Sequence, residues 1–348
     1  MSTGISQLDR IVAPALGLAV IVALAFAAQR SHPPQTGSVV RTARPLMGTV
    51  FELSVWAPTG GEPEAAEALG EALDLVATIE GRISSWDPQS ETSAMNRAAV
   101  GIPTQVSPEL SRLLATSLKW SQRTDGAFDV MGSALFELWN HARQTGVLPT
   151  DDEIETALSV VGHDKVRLTD EGVVLTKAGV KIGFGAIGKG YAADRVATFL
   201  RGRGFPDFIV DAGGDLVVSG TRGTQPWNVA IRHPRRDDFL AVYGATDCAI
   251  ATSGDYEQFS VVGGVRQSHI VDPRTGRPAR SLVSVTVVAQ SGMDADALAT
   301  ALSVMGAEQG LKFVESLTDV ECLIVEESGA VRLSTGLTLR DGNLEMIQ

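Results

Sequence analysis

The sequence predicts an α+β fold, with mixed sheets and packed helices in a single catalytic domain. Amphipathic helical patterns and short apolar strand patterns are interleaved without regular β-α-β alternation. The 36 glycines against 15 prolines call for many tight turns in an ordered chain. No internal repeat or convincing boundary divides the body, so residues 45–348 read as one domain.

Residues 29–44 combine Ser, His, Pro, Gln and Thr with scattered Arg and read as a linker. Phe51 to Trp56 alternates like a strand. From Pro63 to Ser85, the residues Ala65, Leu69, Ala72, Leu73, Val76 and Ile79 recur every three or four positions, which predicts a helix opened by proline. A polar loop, Ser84 to Asn96, follows. Helices are expected over Pro108–Thr124 and Ser133–Gln144, and a short one opens at the Thr150-x-x-Glu153 capping box. Short strands are expected near Val166, Val173 and Lys181, then a helix from Ile187 to Arg203. Several strands fill Phe208 to Phe259; Ser284–Ala289 is another strand, Asp294–Met305 a helix, and short strands end the chain.

At the start, Ile11 to Ala28 is an uncharged run of 18 mostly apolar residues between Arg10 and Arg30. Its length lies between a signal-peptide core and a membrane span, and Ala25-Phe26-Ala27 has the form of a cleavage site. Residues 1–28 therefore read as a signal peptide or membrane anchor. The expected location is periplasmic, either exported or tethered to the inner membrane by residues 11–28. A net charge of −12 without a basic run argues against nucleic-acid binding. Cys248 and Cys322 lack zinc-site spacing and read as buried strand residues, with a disulfide between them left open.

Four clusters carry candidate chemistry. Gly183-Phe-Gly-Ala-Ile-Gly-Lys-Gly190 joins a strand to a helix, where backbone N–H groups and Lys189 could cradle phosphate; a plain tight turn is equally compatible. Asp211-Ala-Gly-Gly-Asp215 is a turn in which glycines admit close approach of a ligand. Thr252-Ser-Gly-Asp-Tyr256 and His269-Ile-Val-Asp-Pro-Arg-Thr-Gly276 surround His269, the side-chain type best suited to proton transfer near neutral pH. Asp296 and Thr300 stand four apart on one helix face, a pattern suited to a hard cation completed by carbonyls, water and phosphates. Taken alone, an acidic helix start with Thr300 in the core explains that spacing better. Together the clusters hold the parts for metal-assisted phosphoryl chemistry on a nucleotide.

The ordered set of motifs resembles the ApbE family of FAD:protein FMN transferases. It comprises Met47-Gly-Thr; Ser84-Ser-Trp-Asp-Pro with Asn96; Gly126-Ala-Phe-Asp-Val130; Gly185-Ala-Ile-Gly-Lys-Gly-Tyr-Ala-Ala-Asp194; Gly213-Gly-Asp215; Ala251-Thr-Ser-Gly-Asp-Tyr256; His269 to Gly276; and Ala295 to Thr300. The resemblance spans about Leu46 to Met305. It implies Mg²⁺ held by Asp296, Thr300 and the Ala186 carbonyl. It implies FAD, as substrate, contacted by Met47, Trp86, Ala127, Phe128, Asp129, Lys189 and Ile270. His269 would help activate the acceptor. The acceptor implied is a flavoprotein of a membrane electron-transfer complex, such as a sodium-pumping quinone reductase, flavinylated on Thr or Ser with release of AMP. One position departs: Gly183 stands where the family usually carries an FAD-contacting Asp. Alternatives are an FAD pyrophosphatase, with water as nucleophile, or a non-catalytic flavin-binding accessory protein.

Overall fold

The structure, a computed structural model, describes residues 36–255, 259–262, 265–280 and 282–347. The apolar run 11–28 and its cleavage signal lie outside the described residues. Among the described residues, no helix is long and apolar enough to cross a membrane.

The chain opens with β1 (Gly37–Leu46) and β2 (Thr49–Pro58), antiparallel from Gly37↔Pro58 to Leu46↔Thr49. This corrects the linker reading over 37–44. The segment is polar because it forms one edge of the sheet and no residue in it is fully buried. Met47 and Gly48, at φ 52° and 74°, close the hairpin in two residues. Two successive positive φ values match the twist of the strands, and a non-glycine bulky residue there is unusual.

Helix α1 (Glu62–Ile83) has proline in its first turn, acids at Glu62 and Glu64, and Arg82 in its last turn. All three suit the helix dipole and its unpaired ends. Its buried stripe runs from Ala65 to Ile83. A Cβ on Gly70 would meet nothing within 4 Å. Gly70→Ala should therefore stabilise the protein by about 0.5–1 kcal/mol, read as a raised urea midpoint.

The expected polar loop over 84–96 contains α2 (Glu91–Asn96), capped by the Ser90 hydroxyl, which accepts from Ser93 N at 2.9 Å. Then come α3 (Pro108–Arg123), α4 (Ser133–Thr145) and α5 (Asp151–Leu158), the last with its capping box formed. Strands β3 (Val166–Thr169) and β4 (Gly172–Leu175) form a hairpin. No strand forms at Lys181. There the Asn96 amide bonds both backbone groups of Ile182, each at 2.8 Å, and takes the place of a neighbouring strand.

Helix α6 (Gly188–Gly202) precedes β5 (Phe208–Ala212), β6 (Leu216–Ser219), β7 (Trp227–Arg232), β8 (Phe239–Ala245) and β9 (Cys248–Gly254). Hairpin β10 (Phe259–Val262) and β11 (Val265–Ser268) leads to β12 (Leu282–Ala289), then to α7 (Gly292–Met305) and α8 (Ala307–Val314). β13 (Glu321–Glu326), β14 (Val331–Leu333), β15 (Leu337–Arg340) and β16 (Asn343–Met346) complete the chain.

The main sheet runs β1-β2-β5-β6-β9-β12-β13-β14, every pair antiparallel. A four-stranded sheet, β15-β16-β8-β7, includes the parallel pair β16–β8. The main sheet is covered on both faces. Ala249 and Ala251 of β9 join the core under α1, α6 and α7, while Cys248 and Ile250 face the second sheet. Burial on both faces explains why β12 is buried at every residue and is mostly apolar, with Ser284 and Thr286 its two polar members. Cys248 and Cys322 are both buried and unbridged. Burial pushes their thiols up, to about 11 and about 12.

Candidate functional site

A cleft of about 1270 Å³ opens where the helical layer, the ends of the main sheet and the second sheet meet. The residues to which the resemblance assigns metal, FAD or acceptor roles all line it. Ala186 and Lys189 come from the glycine-rich turn into α6, Asp296 and Thr300 from α7, and His269 and Ile270 from the segment after β11. Met47 comes from the β1–β2 turn, Trp86 from the loop before α2, and Ala127, Phe128 and Asp129 from the loop before α4.

Two glycines bring the central parts together. A Cβ on Gly190 would stand 2.1 Å from Gly292 O, and one on Gly292 would stand 2.7 Å from Gly190 O. Only bare backbone lets α6 and α7 meet so closely. The contact is fastened in both directions. Asp296 of α7 accepts from Gly190 N at the start of α6, at 3.0 Å. Asp194 of α6 accepts from Gly292 N and Met293 N at the start of α7, at 2.7 and 2.9 Å. Each carboxylate thus caps the other helix where the dipole favours negative charge.

Burial, opposed by those two N–H bonds, pushes the Asp194 carboxyl up to about 6. Between its ordinary 3.8 and about 6 the folded state holds a proton that the unfolded chain has released. Stability contributed by this group therefore falls as pH rises through that window. Asp194→Asn should flatten that part of a plot of urea midpoint against pH. Sequence reasoning missed this residue. Its signal was a carboxylate four residues after Gly190, on the buried face of α6.

Asp296 and Asp215 are both nearly fully buried. Burial and the neighbouring Asp296 carboxylate push Asp215 up to about 7, against the pull of Lys189. Lys189 Nζ lies 2.5 Å from Asp215 Oδ2. The turn that delivers Asp215 needs φ values of 70° and 99° at Gly213 and Gly214, with Asp211 accepting from Gly214 N at 2.8 Å. Asp129 is held by Ser121 Oγ at 2.9 Å and Met131 N at 2.8 Å, and burial raises it.

Two other segments are each pinned by a single hydrogen bond. Trp139 Nε1 donates to Gly276 O at 2.7 Å, which ties the turn after His269 to α4. Gly183 N donates to Val130 O at 2.9 Å. A Cβ at Gly183 would lie 2.5 Å from Ser133 Oγ and 3.7 Å from Ser85 Oγ, so two hydroxyls flank the space where a longer side chain would stand. Trp86 is 70% exposed at the rim, edge-on to Phe136, and offers a bare indole face to a flat ring.

The profile of the ApbE family matches residues 47–324. The chain belongs to the ApbE family. The FAD:protein FMN transferase of Vibrio cholerae is 33% identical over 304 residues, 85% of this chain and 90% of that protein. The enzyme of the same name from Treponema pallidum is 31% identical, covering 85% and 86%. The crystal structure of an ApbE protein from Thermotoga maritima superposes with a TM-score of 0.79 at 33% identity, over 86% of this chain and 97% of that one. The flavin transferase ApbE from Vibrio cholerae gives 0.78 at 30%, over 86% and 98%. Membership accounts for the α+β architecture with mixed sheets.

The ApbE site has oxygen donors that suit Mg²⁺. Among the described residues no three His, Cys, Asp or Glu side chains gather as a metal cage. A cation here would rely on the Asp296 carboxylate, the Thr300 hydroxyl and the Ala186 carbonyl, with water and substrate phosphate completing the shell. Asp296 already faces a second buried carboxylate, Asp215, so added positive charge is electrostatically welcome.

Proposed function

We propose that this protein transfers FMN from FAD to a Thr or Ser hydroxyl of an acceptor flavoprotein, with Mg²⁺, and releases AMP. The observation that carries the reading is the α6–α7 contact. It sets the Asp296–Thr300 face beside the backbone N–H groups and Lys189 at the start of α6, inside one cleft. Lys189 would hold the pyrophosphate beside the cation, and Trp86 with Met47 would hold a ring system. Mg²⁺, when bound, supplies charge neutralisation at the phosphates.

In the step itself the acceptor oxygen attacks the phosphorus on the FMN side. An O–P bond forms, the bridging P–O bond breaks with its electron pair leaving on AMP, and the hydroxyl proton passes to His269 or a nearby carboxylate. An acceptor hydroxyl held in line outcompetes water through its effective concentration.

The test supplies FAD, Mg²⁺ and candidate acceptor domains, weighs each domain and quantifies free FMN. A mass gain of one FMN, lost when the acceptor Thr or Ser is replaced by Ala, is expected. Multiple turnovers to FMN and AMP with every acceptor unmodified would favour the pyrophosphatase. Flavin binding with neither product would leave a non-catalytic carrier. Acceptors of membrane electron-transfer complexes are the first candidates. Residues 11–28 would place the enzyme outside the cytoplasmic membrane or tether it there. Recovery of the full chain from the soluble cytoplasmic fraction with Met1 intact would reject that placement.

A further inference from the structure

We infer that the outer edge of β7, Trp227 to Arg232, is the docking strand for the acceptor: an extended segment carrying the target Thr or Ser pairs along it. The inference rests on the transfer reading above and adds how the acceptor is held.

The cleft volume of about 1270 Å³ exceeds the roughly 300–1,000 Å³ that usually serves one small ligand. Space is left for a second occupant, and β7 bounds it. Along β7, Trp227, Val229 and Ile231 are buried while Asn228, Ala230 and Arg232 are exposed. All six nevertheless line the cleft. A strand whose inward and outward residues both border a cavity turns its backbone edge to it. β7 ends its sheet and pairs with β8 alone. Among the described residues, nothing takes the N–H and C=O groups of its other edge. An open edge of this kind is a template for another strand, and main-chain pairing along such an edge is a general mode of peptide capture.

Two further groups point to the same occupant. Trp227 is 5% exposed, and its Nε1 is buried without a hydrogen-bond partner among the described residues. A buried N–H left unpaired is costly, and a carbonyl or hydroxyl of a docked segment would satisfy it. Arg222, exposed and lining the same cleft, can meet a carboxylate of the guest.

Strand pairing also gives the acceptor a register. Side chains alternate between faces, so a slip of one residue would turn the target hydroxyl away. Choice of the modified Thr or Ser would then lie in backbone pairing and alternate side chains more than in contacts to the hydroxyl itself.

The experiment uses the full enzyme and the acceptor domain that gains FMN mass in the assay above. Hydrogen exchange of the enzyme is followed with FAD alone and with saturating acceptor. Alternate amides within 227–232 should slow by about tenfold or more with acceptor and stay unchanged with FAD alone. Ala230→Pro should raise the KM for acceptor by about tenfold, with the KM for FAD and acceptor-free FAD hydrolysis at wild-type values. If that variant does not fold, the exchange result on wild-type enzyme decides. Unprotected amides across 227–232 at saturating acceptor, or a folded Ala230→Pro enzyme with wild-type acceptor KM, overturns the docking strand while transfer itself stands. If no acceptor gains FMN from the wild-type enzyme, the transfer reading fails and the docking strand falls with it.

Discussion

Asp296→Ala is expected to lower FMN transfer by about a thousandfold or more at saturating FAD. In the proposed site this carboxylate is the one charged protein donor to the cation. The same oxygen set also accepts from Gly190 N, so alanine leaves a buried N–H unpaired and should cost about 1–3 kcal/mol of stability. Asp296→Asn separates the two effects. Its amide oxygen can still accept from Gly190 N, but the charge is gone. The asparagine variant should therefore unfold close to wild type in urea and still lose most Mg²⁺-dependent transfer. Turnover titrated against Mg²⁺, beside urea midpoints for both variants, makes the comparison. Near-normal transfer by Asp296→Asn would reject the metal assignment.

Gly190→Ala should be among the most damaging single methyl groups in the described residues. The new Cβ would lie 2.1 Å from Gly292 O, 2.5 Å from Gly292 C and 2.9 Å from the Asp296 Cβ. None of these is the far end of a flexible side chain, so α6 and α7 must part. Separation would also strain the Asp194 and Asp296 bonds that cross the contact. A loss of about 3 kcal/mol or more is expected, at the upper end of overpacking effects. Gly70→Ala, with open space at its Cβ, should move the urea midpoint in the opposite direction. An enzyme with alanine at 190 and a wild-type midpoint would show that the helices are not held by this contact.

Helices were legible where a stripe and a cap coincide. Pro63 with its apolar stripe fixed α1 to within a residue or two, and Thr150 with Glu153 fixed the start of α5. β12 was legible because burial on both faces leaves a run of mostly apolar residues, Ser284 and Thr286 excepted. β1 was not, since an edge strand with one wet face carries Arg41, Arg44 and Pro45 and resembles a linker. The strand expected at Lys181 failed because an asparagine side chain, 86 residues away in sequence, supplies the hydrogen bonds that a neighbouring strand would. At the site, the spacing of Asp296 and Thr300 revealed a shared helix face. It could not reveal that Asp215 would be buried against Lys189, or that Asp194 would cap α7, because both depend on pairings between distant segments.

The glycine contact between α6 and α7 leaves the centre of the cleft without a hinge. The helix that carries Lys189 and the helix face that would hold the cation belong to the same packed interior as the main sheet. Warming should therefore loosen the two together. Loss of activity on warming should then coincide with loss of the fold, with no milder inactive state between them.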